Sequence, residues 1–549
     1  MAMESTAGAE RPQPHTMREI AAAVSAADFQ RASDLADMEL SRGAIHPALF
    51  NVRALLLERQ QRDEEALAEY QRARALSPKD AAILNAIGLC FTRLYRLEEA
   101  IAVFDEAIRY HPTYTPSYYR KGIVLGMSGD LEAAAQAHQR AVALYPRSTE
   151  ALASLASIAA RKDEPEKARA FAERALKINP SETTAMAALA LVDNSERQFE
   201  RAEQHIRAVL DNPAVVGHGR AVALGILGDA LDGQNRFADA FAAYSAENAQ
   251  LLQLHAARFA GKPRGADLAQ GLAAYFETAA AENWRVSSSA TSTHKAADRH
   301  VFLVGFFRSG TTLLEQVLES HPDIVTLEER DFLGEPAERY LTNDIGLARL
   351  AALPAETLTA MRDEYWQRVH AHGLKVEGKV FVDKHPLNTL KLPLILRLFP
   401  DARILFAVRD PRDVILSSFR RHFEVNAAMY ELLTLDGAAR LYDSVMRLAE
   451  VLREKLSPPF LMHRYEDMIE DFSGSLHRVC DFLGVPFREE MKEFDSTARL
   501  QDIRSPSAQQ VRRGLYSDGV GQWRHYSAQL EPVRLLLLPW IERFGYPAD

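Results

Sequence analysis

Cysteine is scarce in this sequence of 549 residues, which contains only Cys90 and Cys480. The two cysteines lie far apart in the chain, each within an apolar helical pattern. A structural disulfide between them is therefore not expected. The cysteines and histidines also show no spacing that is typical of a metal site, so no metal is predicted.

Long apolar runs are equally scarce. No segment reaches the roughly 18 consecutive apolar residues that a membrane-spanning helix needs. The N-terminal segment 1–17 has no apolar stretch of the kind found in secretory signals. We therefore expect a cytoplasmic protein without a membrane span, in which residues 1–16 form a flexible tail.

The balance of charge is negative, because 65 lysines and arginines face 75 aspartates and glutamates and leave a net charge of −10. This balance argues against a nucleic-acid partner, since binding to a phosphate backbone depends on basic surface. The basic pairs Arg409/Arg412 and Arg420/Arg421 are local. They suit an anionic cofactor instead.

The N-terminal half repeats itself every 34 residues. Prolines recur at this interval, the last one residue short, and alanines keep the same period: Pro78, Pro112, Pro146, Pro180 and Pro213; Ala66, Ala100, Ala134, Ala168 and Ala202. A small residue lets the two helices of a pair approach each other, and proline follows the second helix because it cannot continue it. The pattern resembles tetratricopeptide repeats. It predicts an all-α solenoid over residues 17–260, with a degenerate first pair at 17–43 and a last repeat at 219–254.

Such a solenoid offers a concave surface on which a protein or peptide can bind. We therefore expect a protein or peptide acceptor to be engaged by the repeats. The alternative is that the repeats only stabilise or dimerise the rest of the chain. The oligomeric state stays open.

The C-terminal half has a different pattern. Residues 261–298 are predicted to be a linker with one helix, at about 268–284, followed by the polar stretch 287–293. From residue 299 to 549, short aliphatic runs alternate with helical segments, at 301–305, 379–383, 403–408 and about 460–464. This alternation predicts a P-loop-like α/β domain with a parallel sheet, whose cofactor sites lie beyond the carboxyl ends of the strands.

Residues 305–312, Gly-Phe-Phe-Arg-Ser-Gly-Thr-Thr, link the first of these strands to a helical pattern. A glycine-containing turn before a helix aims backbone N–H groups at a phosphate. The glycine spacing is that of the nucleotide-triphosphate loop G-x-x-x-x-G-K-[ST], but Thr311 occupies the position of the lysine. A phosphate donor other than ATP or GTP is therefore indicated.

This turn resembles the 5′-phosphosulfate loop of the sulfotransferases, which use 3′-phosphoadenosine 5′-phosphosulfate (PAPS). The resemblance places cofactor contacts on five residues: Arg308, Ser309, Gly310, Thr311 and Thr312. A second block, residues 403–417, resembles the 3′-phosphate site of the family, and it places further contacts on Arg409 and Ser417. A guanidinium can grip a phosphate with two hydrogen bonds, and a hydroxyl adds another. Taken alone, this block could also be a cluster of surface ions.

Two further segments resemble the protein-tyrosine sulfotransferases in particular. Segment 320–329 ends in two glutamates, and the resemblance gives the second, Glu329, the role of general base. Segment 382–386 contains Lys384 where the family has a lysine that steadies the transferring sulfuryl group. With Arg308, the resemblance thus implies three catalytic residues. The chemistry agrees, because an attacking hydroxyl must lose its proton and the developing charge needs fixed cations.

Closer to the C-terminus, the resemblance adds four cofactor contacts: Tyr465, Ser507, Gln510 and Arg512. The last three belong to a loop that folds over PAPS in the family. This sequence departs from the family at two positions, because Gln522 replaces a basic residue before a tryptophan and Phe307 replaces a proline before Arg-Ser-Gly. Both departures leave the principal catalytic groups in place.

The resemblance therefore implies a PAPS-dependent sulfotransferase domain over residues 299–549, with no metal and with a tyrosine hydroxyl of a protein or peptide as the acceptor. Two alternatives stay open. The first is a sulfotransferase for a carbohydrate, a lipid or a small phenol. The second is a repeat scaffold whose catalytic half is inactive.

Overall fold

The computed structural model of the protein describes residues 11–284, 297–421, 425–495 and 519–548. The chain divides into two compact units, one ending at Val209 and the other beginning at Leu210. The polar stretch 287–293 lies outside the described residues, and so do three predicted cofactor contacts: Ser507, Gln510 and Arg512. In the part of the chain that the structure describes, no helix combines the length and the apolar character needed to cross a membrane.

The first unit is built from consecutive helix pairs. Its helices are α1 Pro14–Ser25, α2 Phe29–Ser41, α3 Pro47–Arg59, α4 Asp63–Leu76, α5 Ala81–Arg93, α6 Leu97–Tyr110, α7 Thr115–Met127, α8 Leu131–Leu144, α9 Thr149–Arg161, α10 Pro165–Ile178, α11 Thr183–Ser195 and α12 Phe199–Leu210. The predicted first pair corresponds to α1 and α2. Helix α1 begins at Pro14, within the segment 1–16 that was predicted to be a tail.

The periodic small residues lie where the helices of a pair meet. All five periodic alanines, from Ala66 to Ala202, are fully buried. A Cβ atom added to Gly88 would lie 2.5 Å from Cζ of Phe104, so the small residue of one helix leaves room for a ring on the next. The periodic prolines follow the second helix of each pair, as Pro78 follows Leu76. The predicted tetratricopeptide solenoid is confirmed.

The second unit begins with a helix pair that continues the repeat pattern, α13 Gly217–Gly233 and α14 Phe237–Phe259. Here Gly228 leaves room for Tyr244, whose Cε1 would be 2.4 Å from an added Cβ atom. The repeat pattern therefore extends past the point where the chain divides into compact units. Helix α15, Gly265–Thr278, follows in the predicted linker, and its buried Leu272 and Phe276 join the core of the catalytic half.

The catalytic half is built around five parallel strands: β1 Arg299–Gly305, β2 Ile324–Glu328, β3 Val380–Lys384, β4 Arg403–Val408 and β5 Phe460–Arg464. Their order in the sheet is β2-β3-β1-β4-β5. The sequence predicted every strand except β2. This strand is short and lies at the edge of the sheet, and the sequence Ile-Val-Thr-Leu-Glu does not form a continuous apolar run.

Helices cover both faces of this sheet. They are α16 Thr311–Glu319, α17 Gly334–Tyr340, α18 Asp344–Ala351, α19 Ala355–Ala371, α20 Leu392–Leu398, α21 Pro411–Phe419, α22 Ala427–Glu431, α23 Leu435–Leu456, α24 Tyr465–Glu470, α25 Phe472–Leu483 and α26 Ser527–Arg543. Short 3-10 segments lie at Ala281–Trp284, Pro386–Lys391, Glu489–Glu493 and Gln522–Tyr526. Successive β1 residues point to opposite faces of the sheet, so that Phe302 lies in one apolar core and Leu303 in another. The sheet is thus buried on both faces, as parallel sheets are.

The strand order brings the predicted site residues to one edge of the sheet. Strand β1 lies between β3 and β4, with Leu303 opposite Lys384 and Gly305 opposite Ala407. Strand β2 places Glu328 opposite Lys384. Because the strands are parallel, their carboxyl ends meet at this edge, where ligands bind in open α/β sheets.

Candidate active site

The turn between β1 and α16 has a backbone that only glycine permits at two positions. A Cβ atom at Gly305 would lie 2.4 Å from the carbonyl oxygen of Ala407 on the neighbouring strand. Gly310 has φ +87° and precedes the first residue of α16, Thr311. The N-terminal N–H groups of α16 therefore face the end of the sheet, in the arrangement that binds phosphate groups. Thr311 and Thr312 are both buried there.

The predicted nucleotide tyrosine lies directly against this turn. Tyr465 follows β5 and begins α24. A Cβ atom at Gly310 would lie 2.6 Å from Cδ2 of Tyr465, so the ring occupies the space that a side chain at this position would need. The turn and Tyr465 are thus in contact, although 154 residues separate their positions in the sequence.

The two predicted phosphate blocks are joined by hydrogen bonds. Arg308 Nε donates a hydrogen bond to Ser417 Oγ over 3.0 Å. Arg409 Nη1 donates to the backbone carbonyl of Arg308 over 3.1 Å. Strand β4 delivers Arg409, and α21 carries Ser417. The fold therefore assembles Arg308, Arg409 and Ser417 at one place, with Ser309 buried in the same turn as Arg308.

The interpretation of the second block as a cluster of surface ions is wrong. The four charged residues that follow strand β4 are all buried: Arg409, Asp410, Arg412 and Asp413. The guanidinium of Arg409 lies 5.1 Å from the centroid of the Tyr465 ring. Its Nε has no hydrogen-bond partner among the residues that the structure describes. A buried donor without a partner, beside a turn of N–H groups, fits an anionic ligand.

Asp413 has a role that the sequence did not indicate. Its carboxylate accepts hydrogen bonds from the backbone N–H groups of Gly521 over 2.7 Å and Trp523 over 2.8 Å. Burial raises the pKa of Asp413, while Arg409 and these two N–H groups act in the opposite direction. Arg409 also donates to the carbonyl of Gly519. The chain that follows the predicted cofactor loop is thus attached to the second of the two predicted phosphate blocks.

The two remaining catalytic candidates lie side by side at the ends of β2 and β3. Lys384 Nζ is 2.7 Å from Glu329 Oε1, and the N–H of Glu329 donates to the carbonyl of Lys384 over 2.8 Å. The Lys384 side chain is fully buried, whereas that of Glu329 is 38% exposed. Glu329 has φ +41°, a left-handed conformation that is rare for a residue with a side chain. This turn directs a partly exposed carboxylate alongside a buried ammonium group.

Glu315 is a further residue that sequence reasoning missed. It lies on α16, is fully buried, and places Oε2 3.0 Å from Lys384 Nζ. Glu328 Oε1 lies 3.8 Å from the same nitrogen. Burial raises the pKa of Glu315 to about 8, although the ammonium group opposes the change. Its position within an apolar helical pattern offered no signal, because only the pairing of β2 and β3 brings Lys384 to this helix.

The charge of Lys384 is set by this group of carboxylates. Burial by itself lowers the pKa of Lys384, but Glu315, Glu329 and Glu328 together raise it above its usual value. The lysine therefore remains protonated at neutral pH. A buried, fixed ammonium group next to the phosphate turn can stabilise negative charge that develops during a transfer reaction.

The two positions at which the sequence departs from the sulfotransferase pattern are accommodated differently. Gln522 Oε1 accepts a hydrogen bond from Arg420 Nη2 over 2.8 Å, so a guanidinium lies next to the position where a basic residue is usual. Phe307 is half-buried, and its ring lies edge-on to Phe306 with the centroids 5.5 Å apart. The geometry thus places an arginine from α21's C-terminal end beside Gln522.

Comparison with known proteins agrees with this division of the chain. Residues 300–489 match the sulfotransferase family. Residues 15–145 match the N-terminal tetratricopeptide region of Psidin, and residues 119–183 match the tetratricopeptide repeat. The chain therefore carries tetratricopeptide repeats followed by a sulfotransferase domain.

Individual relatives are distant. An uncharacterized protein of Aquifex aeolicus is 27% identical over 261 residues, which are 45% of this chain and 33% of that protein. Protein-tyrosine sulfotransferase 2 of Gallus gallus is 24% identical over 264 residues, which are 45% of this chain and 69% of the relative. The omega-hydroxy-beta-dihydromenaquinone-9 sulfotransferase Stf3 of Mycobacterium bovis is 31% identical over 117 residues, which are 20% of this chain and 29% of that enzyme. The chain thus matches only a third of the length of the Aquifex protein.

Proposed function

We propose that this protein transfers the sulfuryl group of PAPS to a hydroxyl group, and that the acceptor is a tyrosine of a protein or peptide. The observation that carries the proposal is the junction of the two phosphate blocks. Arg308 contacts Ser417, and Arg409 contacts the backbone of Arg308, so groups suited to two phosphate positions are adjacent. The likeness to protein-tyrosine sulfotransferases supports the choice of donor and acceptor.

The residues present fit such a donor. The N–H groups at the start of α16, together with the hydroxyls of Thr311 and Thr312, would hold its 5′ end. Arg409 and Ser417 would hold its 3′-phosphate, because a buried guanidinium with an unfilled Nε and a nearby hydroxyl offers hydrogen bonds to phosphate oxygens. When bound, PAPS would supply the sulfuryl group, and the departing adenosine 3′,5′-bisphosphate would keep the electron pair of the broken sulfur–oxygen bond on its 5′-phosphate.

Glu329 is the proposed general base. It accepts the proton of the acceptor hydroxyl while the new oxygen–sulfur bond forms and the bond from sulfur to the bridging phosphate oxygen breaks. Lys384 and Arg308 stabilise the charge that develops on the transferring group and on the leaving oxygen. The partial exposure of Glu329 allows an acceptor to reach it, and the burial of Lys384 keeps its charge effective.

The donor is tested by titrating the purified chain with adenosine 3′,5′-bisphosphate (PAP) in a calorimeter, with ADP as the control. We expect PAP to bind at least about tenfold more tightly, because ADP offers no 3′-phosphate to Arg409 and Ser417. Equal binding of the two nucleotides, or no binding, would contradict the proposed donor.

The base is tested by Glu329→Ala. We expect the variant to lose sulfuryl transfer, measured with labelled donor, while PAP affinity stays within about twofold, because the carboxylate acts on the acceptor. Glu335→Ala, which removes an exposed carboxylate on α17, serves as the matched control. Turnover near that of the unmodified protein would show that another group accepts the proton.

A second acceptor class is favoured by one observation, the likeness to the mycobacterial enzyme whose name contains a hydroxylated menaquinone. The acceptor would then be the hydroxyl of a lipid. Incubation with labelled donor and either a tyrosine peptide, its phenylalanine counterpart or a lipid alcohol separates the two. Label in the tyrosine peptide alone supports the first proposal, and label in the lipid alone replaces it.

The repeats are proposed to bind the acceptor protein. Their family is that of the tetratricopeptide repeat, whose arrays form extended concave surfaces. Deletion of the whole predicted array, residues 17–260, cannot test this proposal, because the last helix pair belongs to the same compact unit as the catalytic half. Competition by the isolated segment 11–209 for transfer to a protein acceptor, but not to a short tyrosine peptide, would support it. The cytoplasmic location stays a prediction.

A further inference from the structure

The last helix pair, α13 and α14, contacts the end of the helix that carries Ser417. Asn248 Nδ2 donates a hydrogen bond over 2.9 Å to the carbonyl of Phe419, the last residue of α21, and both groups are buried. The ring of Phe241 stacks on that of Phe419, with centroids 5.3 Å apart. The last helix pair thus holds α21 at its C-terminal end.

Asp232, near the end of α13, binds two further groups of the catalytic half. Its Oδ1 accepts a hydrogen bond from Arg420 Nη1 over 3.3 Å and another from the hydroxyl of Tyr526. The Arg420 side chain is 9% exposed and donates through Nη2 to Gln522 Oε1. Asp229 lies one helical turn earlier, 3.8 Å from Arg421. The carboxylate of Asp232 therefore connects the end of α21 to the segment 522–526.

Both of these segments lead to the proposed donor site. Arg420 follows Ser417 by three positions, so the two residues lie on one side of the same helix end. The segment that contains Gln522 is attached to the 3′-phosphate block through Asp413, which binds the N–H groups of Gly521 and Trp523. The contacts of Asp232 and Asn248 thus converge on the parts of the chain that surround the proposed 3′-phosphate position.

We propose that the last helix pair positions the 3′-phosphate site, and that Asp232 is a positioning residue that acts through Arg420 and Tyr526. This inference rests on the proposed function, because it assumes a donor with a 3′-phosphate. It extends that function to a part of the chain whose sequence belongs to the repeats. The last repeat would then form part of the structure that binds the donor.

The charge of Asp232 makes the inference sharply testable. A carboxylate near a phosphate site repels the phosphate, so if charge alone mattered, its removal would strengthen binding. If Asp232 instead holds Arg420 and Tyr526 in place, its removal weakens binding. The two roles thus predict changes of opposite sign in the affinity for PAP.

The experiment uses the full chain and compares PAP with adenosine 5′-monophosphate, which lacks the 3′-phosphate. For Asp232→Ala we expect PAP affinity to fall about tenfold, the size of a lost hydrogen bond to a charged group, while the affinity for the monophosphate stays within about twofold. Asp232→Asn keeps an oxygen acceptor for both partners and should restore most of the affinity. Asp239→Ala is the matched control, since Asp239 is an exposed carboxylate on α14 that pairs with Arg236.

A general loss of structure would act differently. It would lower the melting temperature and the affinities for both nucleotides, whereas the inference requires a loss confined to PAP. Asn248→Ala provides a second test through the Phe419 carbonyl, with the same selective loss at a smaller size, and it applies even where Asp232→Ala fails to fold. Unchanged or increased selectivity for PAP in the folded variants would overturn the inference and leave the proposed function intact. Absence of any PAP selectivity in the unmodified protein would overturn both.

Discussion

The repeat unit and the catalytic half differ in how far along the chain their decisive contacts reach. In the repeats, Gly88 leaves room for Phe104 and Gly122 for His138, so each contact joins positions 16 residues apart. At the candidate site, Lys384 and Glu329 are 55 positions apart, and Arg308 and Ser417 are 109 apart. A contact of the first kind is repeated in successive pairs, whereas each contact of the second kind occurs once.

This difference predicts in which part of the molecule a substitution should be tolerated. A repeat contact has equivalent neighbours, and solenoid stability is approximately a sum over repeats and their interfaces, so losing one contact should have a graded effect. A site contact has no equivalent, so no neighbouring contact can compensate for its loss. The following four predictions test that contrast.

Lys384→Met should have the largest effect. It removes the buried ammonium group that faces Glu315 and Glu329, and we expect turnover to fall about 10³-fold, the size found when a group that stabilises transition-state charge is removed. Lys379→Met is the matched control, because Lys379 is only half-buried and precedes the same strand. Turnover is measured with labelled donor, and PAP affinity should stay within about threefold. A loss of less than tenfold would show that Lys384 is not essential for transfer.

Gly305→Ala should destabilise the protein more than Gly88→Ala. The added Cβ atom at Gly305 meets a backbone oxygen of the paired strand at 2.4 Å, and we expect a cost of about 3 kcal/mol. At Gly88 the added atom meets the Phe104 ring, which can shift, and the better helix propensity of alanine offsets part of the cost, leaving about 1 kcal/mol. Denaturant unfolding of both variants measures the difference. Equal costs would mean that the repeat contact is as rigid as the sheet.

His138→Phe should reduce the sensitivity of the repeat unit to acid. Burial lowers the pKa of His138 to about 4, so the folded state keeps this ring neutral, whereas in the unfolded chain the ring takes up a proton below pH 6.5, the ordinary pKa of histidine. The contribution of the neutral ring to the free energy of unfolding is therefore fully present above pH 6.5 and is lost as the pH falls toward 4. Between pH 7.5 and 5 the loss amounts to about 2 kcal/mol.

Phenylalanine already occupies the equivalent position in the preceding repeat, Phe104, so His138→Phe should fit beside Gly122. The free energy of unfolding should fall less between pH 7.5 and pH 5 for this variant than for the unmodified protein. His111→Gln, at an exposed histidine, should leave the change as it is. An equal acid response of His138→Phe and the unmodified protein would assign the effect to other groups.

Asp413→Ala should have the smallest effect of the four. It removes the acceptor for the N–H groups of Gly521 and Trp523, and we expect PAP affinity to fall about tenfold, or about 1.4 kcal/mol, because the segment that follows the cofactor loop is released. Asp436→Ala removes an exposed carboxylate at the start of α23 and serves as the control. Affinity is measured by calorimetry. An unchanged PAP affinity would mean that the attachment does not bear on donor binding.

Much of the fold was predictable because its signals are local. The 34-residue period predicts the helix pairs, and the aliphatic runs predict four of the five strands. The edge strand β2 was missed because its five residues include threonine and glutamate and pair only on one side. The sequence motifs also predicted the turn between β1 and α16, since a glycine turn between a strand and a helix has few alternative geometries.

The residues around the site were less predictable. Glu315 and Asp232 lie in no motif, and Asp413 lies in a motif that gave it no role. Each of the three contacts a partner from another element. The charged residues at 409–413 looked like surface ions in isolation but are buried in the fold. The predicted domain boundary after residue 260 follows the repeat pattern, whereas the compact units divide after Val209 because α13 and α14 pack against the catalytic half.

The sequence by itself thus determined the repeat solenoid, the parallel sheet and the glycine turn between β1 and α16, because periodicity, strand composition and turn chemistry act over a few dozen residues at most. The tertiary structure alone decided that Lys384 lies between Glu315 and Glu329, and that the last repeat holds the end of the helix carrying Ser417. The physical reason is that these contacts depend on the order of the strands in the sheet and on which helix faces meet. Neither is specified by any one segment of the chain.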